Sequence, residues 1–449
     1  MAYTEPLVPQ DGARRPSKQR IHAYLCMVAV VILDFVLVLT CCIYNITVGV
    51  CAYLASGYVV FLLLLQHWMM EWPQCDTRPL GMGAMAIATV IAPTALNLCG
   101  MQQGVNFVLD FIVLVMAYTI FVRGPAYEAL EGSMNGKIVI ITGCNTGIGL
   151  VTAKRLLQAG ATVVFACRTE QKARTAMAQV LEETKQRGVK AERLLFIQFD
   201  LSSLASVQKF AQEFLRLGSD LHVLVLNAGA FFPERQISSD NLDMCLTSNH
   251  FGHFLLTQLL LPKILETEAK GGKPRIVQVN SALAMEHKVF DFSQAVVLRS
   301  EGERNAFLSQ PGYSTFYAYG QSKIANMMCS RVLSRSLQKC GSKVPVNAVH
   351  PGEIDTDISK NLPCGIGTLA KVFKPIVRLL LKSPYQGATG TVFACTSPDM
   401  ATSDDMTGEF LVRLKPVVGN EAWLSDESCR RLWETCIEIT GAPDVPSPS

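Results

Sequence analysis

The chain has 449 residues, 49% of them hydrophobic and only 17% charged, with a formal net charge of +3. That length exceeds one average domain, and that apolar content exceeds an ordinary soluble protein. The small, dispersed charge argues against a nucleic-acid partner, and the 15 cysteines are scattered without CxxC or Cys/His ligand spacing, which predicts reduced thiols and no metal site.

Residues 1–20 form a basic cytosolic tail carrying Arg14, Arg15, Lys18 and Arg20. Four apolar stretches fill residues 21–123, at 21–44, 48–70, 80–99 and 105–122, each near the ~20 residues that cross a bilayer as a helix. The first is too long for the h-region of a secretory signal, and further spans follow it. The basic cluster before the first span, and the lack of Lys or Arg at 45–47 and 100–104, predict that the remainder of the chain faces the cytosol; if three spans cross instead of four, with 80–99, which contains Pro93 and Asn97, the weakest, it faces the lumen. The expectation is a multi-pass protein of the endoplasmic reticulum or another intracellular membrane, with the lipid bilayer as a partner. Asp34 and Asp110 lie within the first and fourth spans, where an ionisable group is costly; pairing inside the helix bundle explains them without a transported substrate.

Residues 124–135 read as a linker, 136–441 as a globular domain, and 442–449, rich in Pro and Ser, as a disordered tail. Within the domain, short apolar runs at 137–142, 160–165, 193–199, 221–226, 275–279 and 344–349 alternate with helical patterns, the first at 150–159. That alternation predicts an α/β fold: a Rossmann-type doubly wound parallel sheet with helices on both faces, preceded by the all-α transmembrane region. Ligands of such sheets bind at the carboxyl ends of the strands. After the first strand come Thr142, Gly143, Asn145, Thr146, Gly147, Ile148 and Gly149, a glycine turn opening a helix. There bare backbone approaches a pyrophosphate and the helix N-terminus attracts it. The glycines Gly365 and Gly367 lack a preceding strand and read as a loop. After the second strand, Arg168 stands where an NAD enzyme holds an acid, and its guanidinium suits the 2′-phosphate of NADP(H). Asp200 and Leu201 follow the third strand; Asn227, Ala228 and Gly229 follow the fourth.

Tyr319 and Lys323 lie one helical turn apart on one face. A phenol with a pKa of about 10 exchanges protons near neutrality only if its anion is stabilised. A shift of roughly three units corresponds to about 4 kcal/mol, which one close cation in a low-dielectric site supplies. The pair therefore predicts a general acid for a carbonyl or a general base for an alcohol. On an exposed helix the same spacing is an ordinary surface pair, and the dinucleotide turn upstream decides between the two.

These motifs, in the order Thr142 to Gly149, Asp200, Asn227-Ala228-Gly229, Asn249, Ser281, Tyr319 with Lys323, and Pro351-Gly352 with Thr356, resemble the short-chain dehydrogenase/reductase family across 136–441. Ala166-Cys167-Arg168, the run 249–257, His350-Pro351-Gly352 and the run 424–433 are similar to its retinol dehydrogenase and WW domain oxidoreductase branch. No WW domain is present, and the four-span region is outside the family pattern. The resemblance implies that Ser281 holds the substrate oxygen, Tyr319 transfers a proton, Lys323 lowers the phenol's pKa and holds the nicotinamide ribose, and Asn249 positions a water linking Lys323 to solvent. It further implies that Asn227, Ala228 and Gly229 back the cofactor, Asp200 faces the adenine, and Pro351, Gly352 and Thr356 line the nicotinamide end. Purely structural roles stay open for Asn249, as a tie between elements, and for Ser281, as a strand end.

Leu226 and Asn280 depart from the family's common residues. The interval from Ser281 to Tyr319 also exceeds its minimal spacing, which predicts an inserted loop at 285–317 over the active site, bringing Val289, Phe290, Phe307 and Phe316. Roofed by that insertion, by Phe231-Phe232-Pro233 and by a basic amphipathic helix at 369–381, the pocket is expected to take a lipophilic alcohol, aldehyde or ketone, such as a retinoid, sterol or lipid aldehyde. The expected function is a membrane-anchored, NADP(H)-dependent oxidoreductase, with a homodimer compatible. Two other classes match parts of the chain. One is a regulatory scaffold using the fold as an NADP sensor, against which the intact Ser281, Tyr319 and Lys323 argue. The other is a small transporter with an appended reductase, supported by Asp34 and Asp110 alone.

Overall fold

The structure, a computed structural model, describes residues 127–286, 289–352, 354, 382–402, 407–417 and 424–444. The basic tail, the four expected spans with Asp34 and Asp110, Thr356, the expected helix at 369–381 and residues 445–449 lie outside the described residues. Among the described residues, no helix is long and apolar enough to cross a membrane.

Among the described residues, eight strands form one sheet: β1 (Ile138–Thr142), β2 (Thr162–Cys167), β3 (Leu194–Gln198), β4 (Val223–Leu226), β5 (Arg275–Val279), β6 (Val346–His350), β7 (Phe410–Val412) and β8 (Lys415–Pro416), in the order β3-β2-β1-β4-β5-β6-β7-β8. Neighbours run parallel except in the closing β7–β8 hairpin. The strand order reverses between β1 and β4, where the carboxyl ends splay apart and leave a crevice.

Among the described residues, the helices of more than eight residues are α1 (Gly147–Gln158), α2 (Glu170–Thr184), α3 (Leu204–Arg216), α4 (Gly252–Ala269), α5 (Glu301–Ser309), α6 (Thr315–Lys339), α7 (Pro384–Thr396) and α8 (Asp426–Thr440). They cover both faces of the sheet. Val139 and Ile141 of β1 pack with Leu156 and Leu157 of α1, Val180 of α2 and Val392 of α7. Ile140, pointing the other way, joins Phe210 and Phe214 of α3, Leu255 of α4, Ile324 of α6 and Trp433 of α8. A strand buried on both faces has no polar face, which is why β1, β2 and β4 read as unbroken apolar runs. In α3 the buried Leu204, Val207, Phe210, Ala211 and Phe214 repeat at helical spacing, and Ser203 caps the helix by accepting from the Ser206 N–H at 3.3 Å.

Two stretches at the domain's edges pack more closely than composition suggested. Residues 127–135, read from sequence as part of a linker, are docked on the domain. The Tyr127 hydroxyl is 2.9 Å from Thr396 Oγ1, its ring meets Phe393 edge-on at 5.1 Å, its carbonyl accepts from Arg155, and Met134 is buried. Residues 442–444, expected as tail, continue from α8: Ala442 is buried and Trp433 Nε1 donates to Asp444 Oδ1 at 3.0 Å. The insertion after β5 carries regular structure where a loop was expected. It contains a short helix, Leu283–Glu286, and α5, whose N-terminus is closed by a reciprocal pair of bonds between Ser300 and Glu303. Phe290 and Phe307 turn inward, whereas Val289 and Phe316 are exposed.

Candidate active site

The crevice is built from turns at the ends of β1 and β4. Gly143, at φ +66°, turns the chain out of β1, and a Cβ there would sit 2.9 Å from Ala228 Cβ. At Gly149 a Cβ would lie 2.5 Å from Asn227 Nδ2 and 2.7 Å from the Gly143 carbonyl. The turns are sewn together by polar bonds. Asn227 Nδ2 donates to the Thr142 carbonyl at 2.8 Å, and Thr142 Oγ1 accepts from the backbone N–H groups of Asn227 (2.9 Å) and Ala228 (3.0 Å). With both lone pairs engaged, Thr142 gives its hydroxyl proton to His253 Nε2 at 2.9 Å. Burial lowers the His253 pKa to about 3, keeping the ring neutral, and Nδ1 faces the Asn249 carbonyl at 3.4 Å.

Helix α1 starts directly after this turn. Its N-cap Thr146 is extended and makes no side-chain cap bond, and no acid stands in the first turn. The opening amides of α1 are therefore left for an anion, on bare backbone and at the positive end of the helix dipole. This cradle suits a dinucleotide pyrophosphate. Arg168 is exposed immediately after β2. Asp200, after β3, is already engaged: Oδ1 accepts from the Ser202 N–H at 3.0 Å and hydroxyl at 2.7 Å. Leu201 packs against Gly252, where a Cβ would lie 2.7 Å from Leu201 Cδ2. At the end of β6, Pro351 leads to Gly352, at φ +89°, against which the buried Lys382 packs.

Tyr319 and Lys323 share a face of α6 and are 7% and 2% exposed. They meet Asn249 above Gly229. A Cβ built on that glycine would lie 3.5 Å from Lys323 Nζ, 3.7 Å from Asn249 Oδ1 and 3.9 Å from the Tyr319 hydroxyl, so three polar groups converge on one point. Lys323 Nζ donates to the Val279 carbonyl at 3.0 Å and lies 5.4 Å from the Tyr319 ring centre. Burial lowers its pKa to about 8, against a smaller opposing effect of the Cys245 thiol. Asn249 sits in a wide π-helical turn, Thr247–Phe251, wholly buried between β4 and α4.

Ser281 follows β5. Its N–H donates to Asn280 Oδ1 at 2.9 Å and its hydroxyl accepts from the Leu283 N–H at 3.3 Å. Asn280 Nδ2 donates to the Lys323 carbonyl at 3.1 Å. The residue that departs from the family's common choice thus ties the end of β5 to the helix carrying the pair. Sequence reasoning missed His253 as a bridge between the glycine turn and Asn249. Phe231, expected over the pocket, lays its ring over Tyr319 with centres 4.1 Å apart. Phe316 meets Phe231 edge-on at 5.7 Å, and the Tyr313 hydroxyl donates to the Phe232 carbonyl at 3.1 Å. One wall of the crevice is therefore aromatic.

A doubly wound sheet with a glycine turn at its switch point, and a buried Tyr and Lys one turn apart beside it, defines a class of dinucleotide-linked dehydrogenases. The short chain dehydrogenase family model matches residues 137–292, and the chain belongs to that family. Its relatives include the short-chain dehydrogenase TIC 32 A, chloroplastic, of Brassica napus, 32% identical over 67% of this chain and 87% of the relative. The polyprenol dehydrogenase of Homo sapiens is 31% identical over 72% and 91%. The retinol dehydrogenase 14 of Mus musculus is 33% identical over 71% and 91%.

Proposed function

We propose that the chain is a membrane-anchored, NADP(H)-dependent oxidoreductase interconverting a lipophilic alcohol and its aldehyde or ketone, with Tyr319 as the general acid or base. The observation that carries this reading is the convergence of the Tyr319 hydroxyl, Lys323 Nζ and Asn249 Oδ1 above Gly229. The nicotinamide, when bound, supplies or takes up the hydride. In the reducing direction Tyr319 gives its proton to the substrate oxygen, which Ser281 Oγ holds and polarises. The Lys323 ammonium offsets the phenolate that remains. With a pKa near 8, it is charged at neutral pH. Asn249 holds the water path by which the phenol is reprotonated.

Gly143, Asn145, Thr146, Gly147, Ile148 and Gly149 hold the pyrophosphate, with Asn227, Ala228 and Gly229 behind it. Arg168 pairs with the 2′-phosphate, and its exposure at the end of β2 supports NADP over NAD. The aromatic wall of Phe231, Phe316 and Tyr313 offers few polar partners and supports an apolar substrate. Polyprenols and retinols, named for two relatives, are alcohols of that chemistry. The apolar stretches within 21–123 support anchoring in a bilayer, with the domain on the cytosolic side.

The test is a screen of detergent-solubilised full-length protein with NADPH and NADH against retinal, keto-steroids and polyprenals, and with the oxidised cofactors against the alcohols. Turnover of at least one apolar carbonyl, about tenfold or more faster with NADPH, is expected from one charge-assisted contact. Absence of both turnover and dinucleotide binding refutes the reading.

A further inference from the structure

Behind the active site lies a cluster that this chemistry does not use. His250, Cys329 and Cys436 are buried, and their ligand atoms all lie within 4.8 Å of one another. His250 Nε2 is 3.1 Å from Cys436 Sγ and 3.8 Å from Cys329 Sγ. The three come from separate elements: the π-helical turn beside Asn249, α6, and α8.

Hydrogen bonding fixes which nitrogen of His250 carries the lone pair. Asn326 Nδ2 donates to the Asn249 carbonyl at 3.0 Å, so its Oδ1 is turned toward His250 Nδ1, at 2.8 Å, and can only accept. Nδ1 is therefore protonated in the neutral ring, and Nε2 presents its lone pair to the two sulfurs. A metal-ligating histidine needs just such a partner on its other nitrogen.

We propose that His250, Cys329 and Cys436 hold a Zn²⁺ ion. Zinc bonds of about 2.3 Å to sulfur and about 2.0–2.1 Å to nitrogen, at tetrahedral angles, place the nitrogen roughly 3.6 Å from each sulfur. The observed 3.1 and 3.8 Å bracket that value. Binding releases two protons to solvent, one from each thiol, and leaves a neutral imidazole and two thiolates around a dication. The ensemble has no net charge, the condition under which such groups are buried in an apolar core. A cavity of about 30 Å³ adjoins His250 and Cys329, with Thr257, Gln258 and Gln278 on its lining. It has room for a water as fourth ligand. The ion ties α8 to α6 and to the turn that positions Asn249.

Full-length protein, grown with zinc and purified in detergent, is expected to carry one zinc per chain. X-ray absorption at the zinc edge is expected to show two sulfur and two nitrogen or oxygen neighbours. Cys329→Ser and Cys436→Ser should each weaken zinc retention against a chelator about tenfold or more. Substoichiometric zinc, a shell without sulfur or with four sulfurs, a Cys329–Cys436 disulfide in the purified protein, or zinc retained unchanged in the double variant overturns the proposal. The absorption measurement uses the natural chain and decides the matter whether or not the variants fold.

Discussion

Asn249 and Ala230 hold each other by two hydrogen bonds: the Ala230 N–H donates to Asn249 Oδ1 at 2.8 Å, and Asn249 Nδ2 donates to the Ala230 carbonyl at 2.9 Å. Both poles of the amide are used, so its orientation is fixed and the turn after β4 is locked to the π-helical turn. Asn249→Asp keeps the size and sets a carboxylate oxygen against a buried carbonyl. A loss of roughly 3 kcal/mol is expected, read as a lower urea midpoint at pH 7. An unchanged midpoint would show that the tie contributes nothing.

Lys323 carries a stability cost that depends on pH. Burial lowers its pKa from 10.5 to about 8, so between those values the unfolded chain binds a proton that the folded chain does not. Stability therefore rises with pH across that window, and the cost is full below pH 8. In dinucleotide-free protein, Lys323→Met is expected to be more stable than wild type at pH 7, by on the order of 3 kcal/mol, while losing activity. The gain should fade toward pH 10.5. Melting temperatures of both proteins at pH 7 and pH 10 check this, and a difference that stays constant contradicts it.

At Gly149 an added methyl meets Asn227 Nδ2 at 2.5 Å, the Gly143 carbonyl at 2.7 Å and Cys144 Cα at 2.9 Å, two of them backbone atoms that cannot step aside. Gly149→Ala should cost about 1–3 kcal/mol and abolish dinucleotide binding in a fluorescence titration with NADPH. Gly302→Ala, where the nearest atom is Ser300 Oγ at 3.9 Å, is the neutral control.

Arg168→Asp replaces the proposed partner of the 2′-phosphate by an acid suited to ribose hydroxyls. The ratio of kcat/KM for NADPH to that for NADH should fall by about 100-fold or more, since an attraction is lost and a repulsion added. A ratio that does not move removes Arg168 from cofactor selection.

Strands β1, β2 and β4 were legible because burial on both faces leaves apolar runs without a polar alternation, and β3, β5 and β6 from short apolar runs between helical patterns. The three residues of β7 are too few to register, and their place in the sheet is fixed by β6. Arg168 lies just after β2, Ser281 just after β5, and Tyr319, Lys323 and Asn249 meet above Gly229. Roles that depend on distant partners were not legible: Asn280 reaching Lys323, His253 joining Thr142 to Asn249, and the gathering of His250, Cys329 and Cys436 from three elements. No spacing in the sequence encodes these, because tertiary packing alone brings the partners together. The insertion read as a loop because its apolar residues lack helical period, yet Phe290 and Phe307 anchor it inward.

In the proposed function the Tyr319 hydroxyl is the group that moves the proton. The direct measurement is the single-turnover rate of NADPH oxidation by wild type and Tyr319→Phe with the best apolar carbonyl, beside a titration of NADPH binding to each. Tyr319→Phe is expected to bind NADPH as wild type does while its hydride-transfer rate falls by about 10²–10⁴-fold. An undiminished rate in Tyr319→Phe contradicts the account.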